Sequence, residues 1–261
     1  MLAEITPHLR YIWLVVASMI AGVMNAMAGG GSFVSFPAML GVGVPPIEAN
    51  ATNTVSLWPG QLTSVAALRG DMRRDLLLTV GLTSLVGGFA GAEVLLHTSQ
   101  STFMRLIPWL ILAGTLLFWM SGPVSRWLRA RAKDADEVRA IPKLGLAAGL
   151  LPIMFYVGYF GAGSGFLTMT VLALFGVEDM HELNAMKVFS VLIANLCAIV
   201  TFVLRGAVVW HYCVIAMIFA GFGGYVGAKF AKRISPAALR AVVVVIGCVI
   251  SAYFFWKQTR G

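Results

Sequence analysis

The chain contains one unit twice, because four short motifs of its first half return in the same order in its second half. They are a glycine cluster, a Glu-x-Asn-Ala segment, a Leu-Arg-Gly segment and a double-glycine segment, at 28–32 and 160–164, 48–51 and 182–185, 68–70 and 204–206, and 87–92 and 223–228. The offset drifts only from 132 to 136 residues. Glycine interruptions at matching places of duplicated apolar units are typical of secondary transporters and mark their binding sites.

The composition excludes a soluble globular domain, since 59% of the residues are hydrophobic, 11% are charged and the mean hydropathy is +0.86. The apolar runs are 11–28, 33–44, 51–68, 76–96 and 103–121, then 144–160, 165–177, 185–204, 209–228 and 237–256. Most approach the ~20 residues that cross a bilayer as a helix, but 33–44 and 165–177 are too short. These two follow the glycine clusters, so we expect broken or re-entrant helices there. The sequence therefore predicts an all-α, polytopic integral membrane protein.

Basic residues set the expected orientation. The segments 69–75, 122–143 and 229–240 are rich in Lys and Arg and should be cytoplasmic, whereas 97–102 and 206–209 are weakly charged and should face outward. This arrangement requires an odd number of crossings in each copy. The second copy is then inverted relative to the first.

These boundaries divide the chain into three parts. Residues 1–121 form the first membrane repeat, 122–143 a basic cytoplasmic connection, and 144–261 the second membrane repeat. The net charge of +8 is explained by this topology, so we expect the lipid bilayer and no nucleic acid as a partner.

Nothing in the sequence indicates an enzyme. The three cysteines and four histidines are scattered through or beside apolar runs, without metal-ligand or nucleophile–base spacing. We therefore expect no catalytic residue, no metal and no cofactor. The cysteines are interpreted as small buried apolar residues, with a sulfur-handling role as the alternative.

Both glycine clusters, each followed by an Asn-Ala motif, resemble the sulfite exporter TauE/SafE family of membrane transporters. The resemblance is carried by residues 25–32, Pro37, 48–53 and 87–92 in the first copy, and by 161–165 and 184–187 in the second. It implies transport of a small anion such as sulfite, a sulfonate or an organic acid across the bacterial inner membrane by a multi-pass protein, with export as the expected direction. The second cluster departs from the first by carrying Ala162 in place of Gly30.

The glycine clusters are candidate anion sites. Glycine lets backbone N–H groups converge, and the start of the following helix adds unpaired N–H groups and a positive dipole end. Ser32 and Ser164 stand where helix N-caps would stand. The predicted substrate-binding residues from these clusters are Asn25, Gly29, Gly30, Gly31, Ser32, Gly161, Gly163 and Ser164. The alternative is close helix packing, which we favour for the other glycines, Gly87, Gly91, Gly223 and Gly227.

A second set of candidates lies downstream of each cluster. Asn50, Asn53, Asn184 and Lys187 occupy matching helical faces and are predicted to bind substrate, with Lys187 supplying the positive charge. The alternative for Lys187 is an anchor at the cytoplasmic interface, or a pair with one of three acidic residues, Glu178, Asp179 and Glu182. Gln61 and Asn195 are matched amides that either belong to the site or join helices to each other.

The sequence thus predicts a secondary transporter that moves a small anion by alternating access, with its site where the two glycine clusters meet. A passive anion channel and a non-transporting membrane scaffold are the alternatives. The substrate within this class, a coupling proton or other ion, and assembly into a homo-oligomer stay open at this point.

Overall fold

The computed structural model describes residues 7–27, 30–133, 142–230 and 236–260. Over these ranges the chain is helical and contains no strand. The helices are α1 Pro7–Met27, α2 Ser32–Gly41, α3 Pro46–Leu68, α4 Leu77–His97, α5 Gln100–Lys133, α6 Lys143–Tyr159, α7 Ser164–Leu174, α8 Met180–Leu204, α9 Trp210–Phe230 and α10 Pro236–Arg260, with a 3-10 turn at Arg69–Asp71.

Six of these helices contain segments long and apolar enough to cross a membrane, namely α1, α4, α5, α8, α9 and α10. Their lipid-facing surfaces carry large apolar side chains such as Leu78, Trp109 and Ile218, which are more than half exposed in the isolated chain. The prediction of an all-α polytopic membrane protein is confirmed. α5 continues to Lys133, well into the predicted connection 122–143, and residues 134–141 lie outside the described part.

Two helices are short, as the run lengths predicted. α2 has 10 residues and α7 has 11, so each extends about 15 Å, half the hydrocarbon core. Each begins directly after a glycine cluster, and two residues after its last residue comes a glycine with positive φ, Gly43 at 93° and Gly176 at 101°. Glycine at this position is the common helix terminator because it adopts the left-handed conformation without strain.

The double-glycine segments hold pairs of helices in direct backbone contact. A Cβ at Gly223 of α9 would lie 2.1 Å from the carbonyl oxygen of Met19 in α1, and one at Gly91 of α4 would lie 2.1 Å from that of Phe155 in α6. At Gly87 and Gly227 the nearest atoms to such a Cβ would be Cβ of Met154 at 2.6 Å and Cα of Val23 at 2.8 Å. Close packing, the reading favoured for these four glycines, is confirmed.

The helix contacts of the first copy correspond to those of the second. α1 packs on α9 as α4 packs on α6, α4 packs on α8 as α9 packs on α3, and α1 packs on α2 as α6 packs on α7. α3 contacts its own counterpart α8, and α5 contacts its counterpart α10. Replacing each helix by the one five places along the chain therefore reproduces the main contacts, which is the pattern of two copies related by an approximate two-fold axis.

Candidate functional site

Three backbone N–H groups at the first glycine cluster are paired within the protein. Gly30 adopts φ +105°, and Gly31 donates its N–H to Oδ1 of Asn25 at 3.0 Å. In the first turn of α2, Phe33 donates its N–H to the carbonyl of Gly30 and Val34 to that of Gly31, both at 3.0 Å. Asn25 therefore binds the cluster itself in this conformation. Gly29 lies outside the described residues.

The second glycine cluster is held differently. Gly161 and Gly163 have φ values of +79° and +77°, and the hydroxyl of Tyr156 donates to the carbonyl of Ala162 at 2.7 Å. Here the preceding helix supplies a donor for a carbonyl, whereas Asn25 in the first copy supplies an acceptor for an N–H. Within the described part of the chain, the N–H groups of Gly163, Gly165 and Phe166 have no acceptor.

The two clusters are thus unequal at matching positions. Gly31, Phe33 and Val34 correspond to Gly163, Gly165 and Phe166 at an offset of 132. All three donors are paired in the first copy, and none has a partner among the described residues of the second. First-turn N–H groups of helices commonly lack a partner, so the informative observation is the difference between two copies of one unit.

The predicted serine caps are wrong. The N-cap residues are Gly31 and Gly163, and neither helix start has a side-chain cap. Ser32 and Ser164 are instead the first helical residues, and Ser164 donates its hydroxyl back to the carbonyl of Gly161 at 2.8 Å. Gly163 takes the boundary position because its left-handed backbone, which L side chains rarely adopt, turns the chain into α7.

Lys187 lies beside the unpaired donors of α7. A Cβ built on Gly165 would be 3.3 Å from Cδ of Lys187, and the ammonium of Lys187 donates to Oδ1 of Asn184 at 2.6 Å. Asn184 is neutral, and no carboxylate of the described residues forms an ion pair with this lysine. The positive charge therefore has a hydrogen-bond partner but no counter-ion.

Two of the three acidic residues considered as alternative partners of Lys187 are engaged elsewhere. Asp179 caps α8 by accepting the N–H groups of His181 and Glu182. Glu182 lies 3.6 Å from Arg73, which also binds Asp75 and so lowers the pKa of that carboxyl. Lys187 comes seven residues after the first residue of α8, about 10 Å along the helix.

The amides that correspond to Asn184 and Lys187 in the first copy have different partners. Asn53, at the position of Lys187, accepts a hydrogen bond from Ser35 of α2. Asn50, at the position of Asn184, donates to the carbonyl of Tyr159, the last residue of α6, at 3.1 Å. Asn50 therefore connects α3 of the first copy to the second glycine cluster. Sequence reasoning missed Ser35 and Tyr156, whose only signal was a polar side chain in an apolar helix.

Both clusters pack against α5. A Cβ on Gly163 would lie 2.7 Å from the carbonyl oxygen of Gly114, and one on Gly30 would lie 3.3 Å from the ring of Phe118. The ring of Phe118 also contacts Phe33 of α2 and Phe166 of α7, with centroid distances of 6.2 and 5.5 Å. The clusters are therefore linked through an aromatic layer on α5.

A helical membrane protein whose sequence repeats one unit, with a short apolar helix after a glycine cluster in each copy, fits the pattern of a membrane transporter. Residues 14–254 match the family model described as sulfite exporter TauE/SafE, so the chain belongs to the TauE/SafE family and is a multi-pass membrane transporter. The family resemblance seen in the sequence is confirmed.

Relatives align along almost the whole chain. A probable membrane transporter protein, ORF9, of Sinorhizobium is 27% identical over 245 residues, which cover 92% of this chain and 90% of the relative. A probable membrane transporter protein of Haemophilus influenzae is 27% identical over 92% of both chains. The probable membrane transporter protein YfcA of Escherichia coli K12 is 25% identical over 97% of this chain and 92% of its own. No solved structure gives a significant match.

Proposed function

We propose that this protein is a secondary transporter that carries a small anion, such as sulfite, a sulfonate or another organic anion, out of the bacterial cytoplasm across the inner membrane. The observation that carries the proposal is the start of α7. Among the described residues, three backbone N–H groups there have no protein acceptor, and no carboxylate pairs with the adjacent Lys187. Backbone donors at a helix N-terminus together with a cation form a site for negative charge.

The energetics favour an anion over a neutral solute. Two unit charges about 4 Å apart attract by about 4 kcal/mol at an effective dielectric near 20. A lysine without a counter-ion in a membrane-spanning helix is costly, and an anion that binds beside it offsets that cost. The single cation supports a monoanion or dianion of small size, which is the substrate class that the family name indicates.

Alternating access is the mechanism that fits two copies, each with a short helix, α2 or α7. We propose that the two copies are inverted in the membrane and that the α7 site is exposed first to one side and then to the other. The backbone contacts of α1 with α9 and of α4 with α6 each join a helix of one copy to a helix of the other, so we expect each pair to move as one rigid body.

Counterflow in proteoliposomes tests this function. Vesicles loaded with unlabelled sulfite should accumulate labelled sulfite transiently, and Lys187→Met should abolish this accumulation. The matched control is Lys257→Met, because Lys257 is an exposed lysine near the end of α10. Flux without counterflow would indicate a passive channel. Absence of flux for sulfite, sulfonates and carboxylates alike would contradict transport of this anion class and favour a scaffold.

A further inference from the structure

Tyr156 of α6 has a hydroxyl group to which the proposed mechanism assigns no role. It lies six residues before Ala162 and donates its hydroxyl to the Ala162 carbonyl at 2.7 Å. Its ring lies 6.5 Å from that of Phe160, in the aromatic layer around the second glycine cluster. A hydroxyl at this point contacts the backbone of the cluster and not another side chain.

The carbonyl of Ala162 lies just before α7, whose boundary residue is the left-handed Gly163. This carbonyl accepts the hydroxyl of Tyr156. In the described ranges, the N–H of Gly165 in the first turn of α7 has no acceptor. The hydroxyl therefore binds the carbonyl at the entry to α7, beside a donor that stays unpaired.

The first copy supplies the comparison. At an offset of 132, Tyr156 corresponds to Met24, which has no hydroxyl. The carbonyl of Gly30, the counterpart of Ala162, accepts there the N–H of Phe33, the counterpart of Gly165, at 3.0 Å. The copy without the hydroxyl pairs this donor with this carbonyl, and in the copy with the hydroxyl the donor has no acceptor among the described residues.

We propose that Tyr156 is a positioning residue that holds the carbonyl of Ala162, so that the N–H of Gly165 is available to the anion beside Lys187. This inference rests on the proposed function, because it assigns a role within the same site. Tyr156 itself does not contact the substrate; it acts through the carbonyl of Ala162. Loss of its hydroxyl should let that carbonyl accept the N–H of Gly165, as Gly30 accepts that of Phe33, and remove one donor from the site.

The variant Tyr156→Phe tests the role, with Tyr159→Phe as the matched control one turn along α6. Two measurements apply: sulfite binding to the purified protein, and amide hydrogen exchange of residues 160–170 without sulfite. A hydrogen bond to a charged group contributes about 1.5–3 kcal/mol, so we expect sulfite affinity to fall about tenfold or more in Tyr156→Phe. The amide of Gly165 should exchange more slowly, and both quantities should stay at wild-type values in Tyr159→Phe.

The outcomes separate this inference from the proposed function. Wild-type sulfite affinity in Tyr156→Phe, together with loss of binding in Lys187→Met, overturns the role of Tyr156 and leaves the anion site in place. Wild-type affinity in both variants overturns the site. An affinity loss of the same size in Tyr159→Phe would reduce the effect to aromatic packing and also count against Tyr156.

Discussion

Asn195 of α8 donates its side-chain amide to Oε1 of Gln61 in α3 at 3.0 Å, and these two residues are counterparts in the two copies. Trp58 likewise donates to the carbonyl of its own counterpart, Leu192, at 3.4 Å. Residues related by a two-fold rotation can contact their own counterparts only close to the axis. α3 and α8 therefore cross at the approximate axis, and of the two readings of the amides the helix-to-helix hydrogen bond is the one observed.

This amide pair should behave as one stabilising unit. Gln61→Leu or Asn195→Leu alone leaves the other amide without its partner, and we expect each to lower the free energy of unfolding by about 1 kcal/mol. The double variant should be less destabilised than the sum of the two. A double-mutant cycle from reversible unfolding in mixed micelles measures the coupling. Additive effects would show that the contact contributes nothing to stability.

The short helices and the close-packed glycines were predictable because both depend on local sequence. Apolar runs such as 33–44 cannot cross the bilayer whatever their surroundings, and glycines four apart, such as Gly223 and Gly227, allow close backbone approach. The chain supplies these signals twice, so each copy supports the interpretation of the other.

The inequality of the two clusters was not predictable from the motifs. It depends on Asn25 and Tyr156, which have no polar counterpart in the other copy, and on whether each contacts an N–H or a carbonyl. The direction of a hydrogen bond requires coordinates. The predicted cap at Ser164 failed for a related reason, since the left-handed Gly163 is the boundary residue and Ser164 is the first residue of the helix.

Moving the lysine from residue 187 to residue 53 should not create an anion site in the first copy. In the double variant Asn53→Lys and Lys187→Asn, the lysine faces a first turn whose N–H groups are already paired, so we expect sulfite affinity to stay as low as in Lys187→Asn alone. Isothermal titration compares the two variants. Recovery of wild-type affinity in the double variant would mean that the clusters are equivalent.

Retaining the charge at residue 187 should retain part of the affinity. Lys187→Arg keeps a cation but changes its geometry, so we expect weaker sulfite binding than in the wild type and stronger binding than in Lys187→Met. The same titration ranks the three proteins. Equal binding by all three would identify Lys187 as an interfacial anchor, especially if only the protein yield fell in Lys187→Met.

Alanine substitutions at Gly30 and Gly163 should have unequal effects, because the two glycines have different surroundings. Both Gly30 and Gly163 have positive φ, so alanine costs about 1–2 kcal/mol at either site. At Gly163 the new Cβ would also lie 2.7 Å from the backbone oxygen of Gly114, whereas at Gly30 it meets only phenylalanine rings at 3.3 Å. Gly163→Ala should therefore lower the transport rate and the thermal stability more than Gly30→Ala.

Valine at either position adds a β-branched side chain and should abolish transport while the protein still inserts in the membrane. Counterflow rates normalised to the amount of folded protein measure these effects. Wild-type transport in both valine variants would exclude any requirement for glycine backbone at the two clusters.

The inversion of the two copies can be tested by finding the side of the membrane on which each connecting segment is accessible. After replacement of Cys197, Cys213 and Cys248, single cysteines at Ser99, Ala135 and Ala238 report the accessible side through an impermeant thiol reagent. Ser99 lies in the exposed turn between α4 and α5, and the charge pattern predicts that it faces the periplasm. Ala135 and Ala238, outside the part of the chain whose side chains are described, should both label from the cytoplasm only.

This pattern follows from an odd number of crossings in each copy, since an odd number returns the chain to the opposite side and turns the second copy over. Labelling of Ser99 and Ala135 from the periplasm would overturn the assigned orientation. Labelling of Ala135 and Ala238 from opposite sides would require a parallel duplication. In that case the short helices α2 and α7 would face the same side of the membrane. Alternating access could then not proceed by exchange of equivalent conformations between the copies.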